Sequence, residues 1–278
     1  MPRALLLLLI PPCLLLAQEP LVHQKLLPTL WVQTTPEWRA LCEQAYLTAR
    51  LALDPALRHK KQSAALEQAG QPFSRKKPAV ILDIDETVLD NSPGQARQVA
   101  ANTDFVAKDW AGWVNEAKAQ AIPGAVEFCR YARSRGVRVF FITNRDTADE
   151  PATRRNLELR GFPLDADIDT VLTRGEKPEW NTSDKATRRQ AVAATHRIVM
   201  LIGDDLGDFL PGVRVPPEKR RELAAPYRER WGRQWIVLPN PGYGSWEEAL
   251  YDAPKSADPE ERMRQKRRYL DGAAAESK

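Results

Sequence analysis

Cysteine is nearly absent from this 278-residue chain, which has only Cys13, Cys42 and Cys129. Cys42 and Cys129 fall in apolar helical stripes, where a small buried hydrophobe is the expected role, so neither a disulfide nor a thiolate metal centre is implied. Histidine is as scarce, and His23, His59 and His196 stand in no ligand spacing. Charge of one sign is lacking too. Lysine and arginine number 41 against 37 acidic residues, a net charge of +4 that is spread out except near residues 262–268. That excess is too mild to argue for a nucleic acid polymer as partner. No internal repeat stands out. The longest apolar run, residues 5–16, is broken by Pro11, Pro12 and Cys13 and is too short to span a bilayer permanently.

What is there begins with that run. Met1-Pro2-Arg3 followed by an apolar core has the form of a signal peptide, assigned to residues 1–18, with cleavage expected near Ala17. Leu15 occupies the other position that favours a small side chain. The expectation is a secreted, periplasmic or cell-envelope protein. Cys13 follows Ile10-Pro11-Pro12, a poor match to a lipoprotein processing site, so membrane anchoring stays open. Residues 19–278 are long enough for one sizeable core and are expected to form one domain with appendages.

The centre of that domain is residues 79–87, Ala-Val-Ile-Leu-Asp-Ile-Asp-Glu-Thr, an apolar run ending in Asp83 and Asp85. Side chains alternate along a strand, so both carboxylates are expected on one side where the strand stops. Two carboxylates in one small space repel, which raises one pKa and leaves the other ionised, as a general acid and a nucleophile require. The pair also offers hard oxygen donors to a divalent cation, magnesium foremost. Asp83-Ile84-Asp85 could open an EF-hand loop, but the glycine at the sixth place and the glutamate at the twelfth are missing.

Upstream, Thr35 caps a helix with Pro36 in its first turn. Trp38, Leu41, Cys42, Ala45, Ala49 and Leu53 form its apolar stripe, Tyr46 flanks the stripe and Pro55 closes the segment. With a weaker helix near 63–69, residues of about 30–72 read as a helical appendage. Residues 90–94 read as a turn and 95–121 as helical, making an insertion of about 90–122 in which at least one of Trp110 and Trp113 faces a core. Pro123 then opens a helix with Ala125, Phe128, Cys129 and Ala132 on one face, stopped by Gly136. Strands at 137–142, 170–172, 198–202 and 235–238 alternate with helices at 154–160 and 183–194, the latter capped by Ser183. This alternation predicts an α/β fold: a doubly wound, Rossmann-like parallel sheet with a small α-helical cap, binding its ligand at the carboxyl ends of the strands. Three of those ends carry polar clusters: Asp83-Ile84-Asp85, Thr143-Asn144-Arg145 and Gly203-Asp204-Asp205-Leu206-Gly207-Asp208.

In their order along the chain, Asp83-x-Asp85-x-Thr87, Thr143, Lys185 and Gly203-Asp204-x-x-x-Asp208 resemble the haloacid dehalogenase superfamily of phosphohydrolases. More narrowly, residues 83–93 resemble the class C acid phosphatases, the group that contains outer-membrane lipoprotein 5′-nucleotidases. Trp110-Ala111-Gly112-Trp113-Val114, Ala121-Ile122-Pro123-Gly124-Ala125 and Pro239-Asn240-Pro241-Gly242-Tyr243-Gly244 add to the likeness, which runs over about residues 31–251.

The resemblance implies a magnesium-dependent phosphatase acting on small phosphomonoesters. Asp83 would be the nucleophile that forms an aspartyl-phosphate, and Asp85 the acid that protonates the leaving group and then activates water. The Asp83 side chain, the Asp85 carbonyl and Asp204 would hold the cation. Thr143 and the backbone after it would bind phosphoryl oxygens, with Asn144 and Arg145 on the substrate side. Lys185 would balance the charge, Asp208 would orient Lys185 or a metal-bound water, and Asp205 stands beside them where the family often has asparagine. Trp110 and Tyr243 would flank the site mouth and stack a nucleobase, unless Trp110 packs in a core with Trp113. Gly94 departs from the family, which commonly has an aromatic residue there. A phosphotransferase of the same fold, a non-catalytic binding module and a homodimer remain open alternatives.

Overall fold

The computed structural model describes residues 23–252, 255, 256 and 258–270. The expected signal peptide and Cys13 lie outside them. No helix among the described residues is long and apolar enough to cross a membrane.

Five parallel strands form the sheet: β1 (Lys77–Leu82), β4 (Arg138–Asp146), β5 (Val171–Arg174), β6 (His196–Gly203) and β7 (Trp235–Val237). A two-stranded ribbon pairs β2 (Leu89–Asp90) with β3 (Gln120–Ala121) in antiparallel register. In the large sheet the order is β5-β4-β1-β6-β7. The chain therefore runs outward from β1 through β4 to β5 and returns to the other side of β1 for β6. That reversal leaves a crevice at the carboxyl end of β1, where doubly wound sheets bind ligands.

Both faces of the sheet are covered. Val80, Leu82 and Ile84 pack on α2 (Pro36–Arg58) and α5 (Ala125–Ser134) through Cys42, Tyr46, Leu53, Phe128 and Cys129. Ala79 and Ile81 point the other way, to Trp180, Trp235 and Val192 of α7 (Ala186–Thr195). This alternation is the pleat of β1, and it is why a buried parallel strand reads as a continuous apolar run. Cys42 and Cys129 are both buried and free, as expected.

The N-terminal helices differ from the sequence reading. A helix, α1 (Leu26–Thr34), precedes the expected one. Thr35 caps α2 as anticipated, its hydroxyl accepting from the Trp38 amide at 3.3 Å. Pro55 does not end α2, which continues to Arg58. The buried Arg197 guanidinium donates to the carbonyls of Ala56, Leu57 and His59 at 3.1–3.2 Å, satisfying the end that proline disturbs. Leu41 is 43% exposed, and Tyr46, expected to flank the stripe, is buried within it. Helix α2 thus belongs to the main core rather than to an appendage. The second helix expected at 63–69 is a short 3-10 turn, Leu66–Gln68.

Residues 90–94, expected as a turn, contribute to β2 and to the start of α3 (Ser92–Ala101), with Pro93 in its first turn. The insertion is two helices, α3 and α4 (Ala107–Glu116), closed at its base by the β2–β3 ribbon. Downstream, α6 (Glu150–Leu159) follows β4. Helix α7 begins at Ala186 with the Asp184 carboxylate, not Ser183, accepting from its first amide at 2.8 Å. Past β6 come α8 (Pro217–Ala224), α9 (Ser245–Glu248) and α10 (Pro259–Arg267).

Candidate active site

Asp83 is the first residue beyond β1 and Lys185 the last before α7, so the sheet and the helix packed on it bring their side chains together. The Lys185 ammonium bonds the Asp83 carboxylate and lies 2.6 Å from Asp208 Oδ1, with all three groups buried. Although burial works against the charged form of Lys185, Asp208 and Asp83 hold it above the ordinary lysine range. Burial pushes Asp83 up to about 7, with Asp208 and Asp85 adding to the rise and Lys185 opposing it. Asp204, one residue past β6, is raised well above the usual carboxylate range by burial and then by Asp83 and Asp208. A side chain at Gly203 would collide with Asp208, so only glycine lets β6 pass this close to the cluster.

Oxygens of Asp83, Asp204 and Asp208 all lie within 4.8 Å of one another. Three carboxylates gathered this closely, Asp83 and Asp208 buried and Asp204 half-buried, offer hard oxygen donors that fit a divalent cation. Thr87 Oγ1 at 3.0 Å and Asn240 Nδ2 at 2.8 Å donate to the two oxygens of Asp204 and fix its orientation.

Asp85 has a different set of partners. Its carboxylate receives Arg145 Nη2 at 2.8 Å, Arg145 Nε at 3.0 Å, Asn91 Nδ2 at 2.9 Å and Thr143 Oγ1 at 3.3 Å. Asp83 and Asp85 open into the same cavity, yet one is held by a lysine and the other by an arginine. The chain turns immediately after Asp85, with Glu86 at φ 57°. Strand β4 extends through Asp146, beyond its expected end, and thereby carries Thr143, Asn144 and Arg145 in extended backbone. Arg145 is 2% exposed and its guanidinium is committed to Asp85 and to Thr153 Oγ1 at 3.1 Å. Thr143 is fully buried, with its hydroxyl turned to Asp85, while Asn144 lines the cavity and donates to the Ser183 carbonyl at 3.0 Å.

Four supporting residues are given no role in the sequence reading. Arg188, on α7 and fully buried, donates to the Thr143 carbonyl and to Asn144 Oδ1, bracing the tip of β4. Asn91 links Asp85 to Trp113, whose indole N–H donates to Asn91 Oδ1 at 2.9 Å. Glu86 accepts from the Asn91 amide at 3.0 Å and from the Tyr243 hydroxyl, and burial lifts its carboxyl to about 8. Tyr46 reaches from α2 to the Thr87 carbonyl at 2.6 Å. Glu86 and Asn91 stand inside the stretch that raised the resemblance, whereas nothing in the spacing of Arg188 or Tyr46 distinguishes them from ordinary helix residues.

Asp205 has its own partners. It caps the turn Leu206–Asp208, accepting from the Gly207 amide at 2.7 Å, and also takes the Ser245 amide and hydroxyl at 2.6 Å each. Its charge is met by N–H and O–H donors that tie the β6 loop to α9.

Above the cluster lies a cavity of about 1210 Å³. Trp110 and Tyr243 both line it, together with Asn144, Arg145 and Lys185. Trp110 is partly buried, 6.4 Å from the Phe105 ring and 5.8 Å from the Arg145 guanidinium. Trp113, not Trp110, enters the core at 5% exposure. Gly94 sits beneath Trp113, where an added Cβ would stand 3.0 Å from the indole, so this position faces packing rather than the cavity.

The family described as HAD superfamily, subfamily IIIB (Acid phosphatase) matches residues 19–246. The class C acid phosphatase from Bacillus anthracis is similar in structure, with 36% identity, a TM-score of 0.77 and coverage of 90% of this chain and 98% of that one. A second structure of that enzyme, with tungstate bound, matches equally. Among curated proteins, a stem 28 kDa glycoprotein of Glycine max is 26% identical over 50% of this chain and 55% of its own. Acid phosphatase 1 of Solanum lycopersicum is 29% identical over 47% and 51%. The chain spans about half the length of the curated relatives it matches.

Proposed function

The chain belongs to subfamily IIIB of the haloacid dehalogenase (HAD) superfamily, the acid phosphatases, and on that premise we propose that it is a secreted, magnesium-dependent phosphomonoesterase acting on nucleoside 5′-monophosphates. The observation that carries this reading is Asp83, buried at the cavity floor against Lys185, with Asp85 held separately in the same cavity by Arg145. Each carboxylate has its own cation, so the two are free to take different roles.

An oxygen of Asp83 attacks phosphorus in line, a new P–O bond forming as the bond to the leaving oxygen breaks, and Asp85 delivers its proton to that oxygen. The product is an aspartyl-phosphate on Asp83 and a free alcohol. Water then surrenders a proton to Asp85 and attacks the same phosphorus, releasing inorganic phosphate and regenerating the Asp83 carboxylate. Lys185 balances the negative charge gathered around Asp83, Asp208 aims the ammonium, and Arg145 with Asn91 keeps Asp85 on the leaving-group side. Asp83, Asp204 and the Asp85 carbonyl are the groups that would hold Mg²⁺, which when bound supplies positive charge to the phosphoryl oxygens. Tungstate in the Bacillus enzyme is a tetrahedral oxyanion, in keeping with a phosphate-shaped site.

The base would lie against Trp110 and Tyr243, an aromatic contact worth roughly 1–3 kcal/mol per base and tolerant of base identity. Secretion is supported by the N-terminal apolar run and by relatives named as glycoproteins.

One set of assays tests the reading. With magnesium, the purified protein should hydrolyse nucleoside 5′-monophosphates of several bases, and Asp83→Asn should lose activity by several orders of magnitude while remaining folded. Trp110→Ala should lower kcat/KM for nucleotides much more than for a small aliphatic phosphate ester such as glycerol 3-phosphate. Near-native turnover by the Asp83→Asn protein refutes the covalent route, and an equal fall on both substrates refutes stacking.

A further inference from the structure

The mouth of the cavity is crowded with cations, and most of them are already matched. Arg262 is 2.6 Å from Asp104, Arg174 is 2.7 Å from Asp146, and Arg214 pairs with Glu248. Lys25 and Lys255 differ. Both line the same cavity as Asp83, and among the described residues neither ammonium has a carboxylate within salt-bridge reach. Lys25, from the turn that leads into α1, donates only to the neutral Gln98 Oε1 at 3.1 Å and stands 5.5 Å from the centre of the Tyr243 ring. Lys255 stands 4.4 Å from the centre of the Tyr251 ring.

Burial disfavours the charge on Lys25, Glu247, Glu86 and Asp104 favour it without pairing with it, and Lys255 adds a weaker repulsion. Two ammonium groups that repel one another across the wall of one cavity are relieved by an anion between them. The volume agrees with a second group to hold. About 1210 Å³ exceeds the roughly 300–1,000 Å³ of an ordinary small-molecule pocket, which leaves room past a base and ribose.

We propose that Lys25 and Lys255 form a second anion site at the cavity mouth, and that the preferred substrate is a phosphomonoester whose leaving group itself carries a further phosphate. This rests on the reading of Asp83 as the phosphoryl acceptor. The scissile phosphate sits on the floor with Lys185, and the second phosphate is read at the rim. Such a device selects among phosphomonoesters by the far end of the leaving group, which the floor residues cannot see.

The test compares release of the 5′-phosphate from adenosine 5′-monophosphate with its release from adenosine 3′,5′- and 2′,5′-bisphosphate. The native enzyme should favour at least one bisphosphate in kcat/KM, and Lys25→Met should reduce that preference by about tenfold, the effect of losing one charge-assisted hydrogen bond. The loss should appear in KM and not in kcat, and Lys25→Arg should restore it. Lys255→Met, altering an exposed side chain, should shift the ratio in the same direction and guards against a folding defect at position 25. Equal kcat/KM for monophosphate and both bisphosphates in the native enzyme overturns the proposal, as does a preference that neither lysine variant moves. If no phosphomonoester is hydrolysed at all, the phosphatase reading fails instead, so the two failures are distinct.

Discussion

Asp83 is pulled in opposite directions by its neighbours: burial, Asp208 and Asp85 favour its protonated form, while Lys185 favours the anion that the proposed attack on phosphorus requires. Far from this site, His196 shows how one buried ring couples the fold to pH. It is 7% exposed, bonds Thr195 Oγ1 through Nδ1 at 2.8 Å and meets the Phe140 ring edge-on at 5.1 Å. Burial, then Arg138 and Lys77, hold its pKa below the ordinary value of 6.5. The unfolded chain therefore takes up a proton that the folded ring resists. Stability from this group is complete above about pH 6.5 and is lost as pH falls through the lowered folded value. The melting temperature should decline from pH 7 to pH 5, and His196→Asn should flatten that decline. Identical slopes in the two proteins would exclude the histidine as a source of acid sensitivity.

Helix α2 acts on the site without entering it. Trp38, Cys42, Tyr46, Ala49 and Leu53 seat it on the sheet, and the Tyr46 hydroxyl then meets the Thr87 carbonyl at 2.6 Å. Thr87 in turn donates to Asp204. Tyr46→Phe keeps the ring and its packing on Phe128, whose centroid is 5.9 Å away, but leaves a buried carbonyl unpaired. The expected loss is about 1–3 kcal/mol in denaturant unfolding, with weakened magnesium affinity because Asp204 is less firmly held. A fully native unfolding midpoint in the variant would mean that the hydrogen bond adds nothing.

For the molecule as a whole, the carboxylate cluster is a point of stored repulsion at the carboxyl edge of the sheet. Asp83 and Asp204 come from the ends of β1 and β6, so a cation bound between them ties together these two adjacent strands. Binding to the native state alone raises stability in proportion to the logarithm of cation concentration. Magnesium should raise the melting temperature, EDTA should reverse the gain, and Asp204→Asn should remove most of the response. A melting temperature indifferent to both reagents would show that the cluster is satisfied by Lys185 alone.

The linear order of residues was sufficient for the apolar strand ending in Asp83 and Asp85, for the alternation that makes a doubly wound sheet, and for the polar clusters at its strand ends. Each of these is a local pattern, because strand periodicity and turn chemistry act over a few neighbours. Other features depended on elements meeting across the chain. Pro55 does not end α2 because Arg197 donates to the helix carbonyls from 138 or more residues away. Trp113 rather than Trp110 fills the core because Asn91 stands ready for its indole N–H. Arg145 belongs to Asp85, Asp205 belongs to Ser245, and Arg188 braces Thr143, each through partners that no spacing rule connects. A charged or polar side chain is compatible with solvent in any linear reading, and its role is decided only when folding removes the water and leaves one partner in reach.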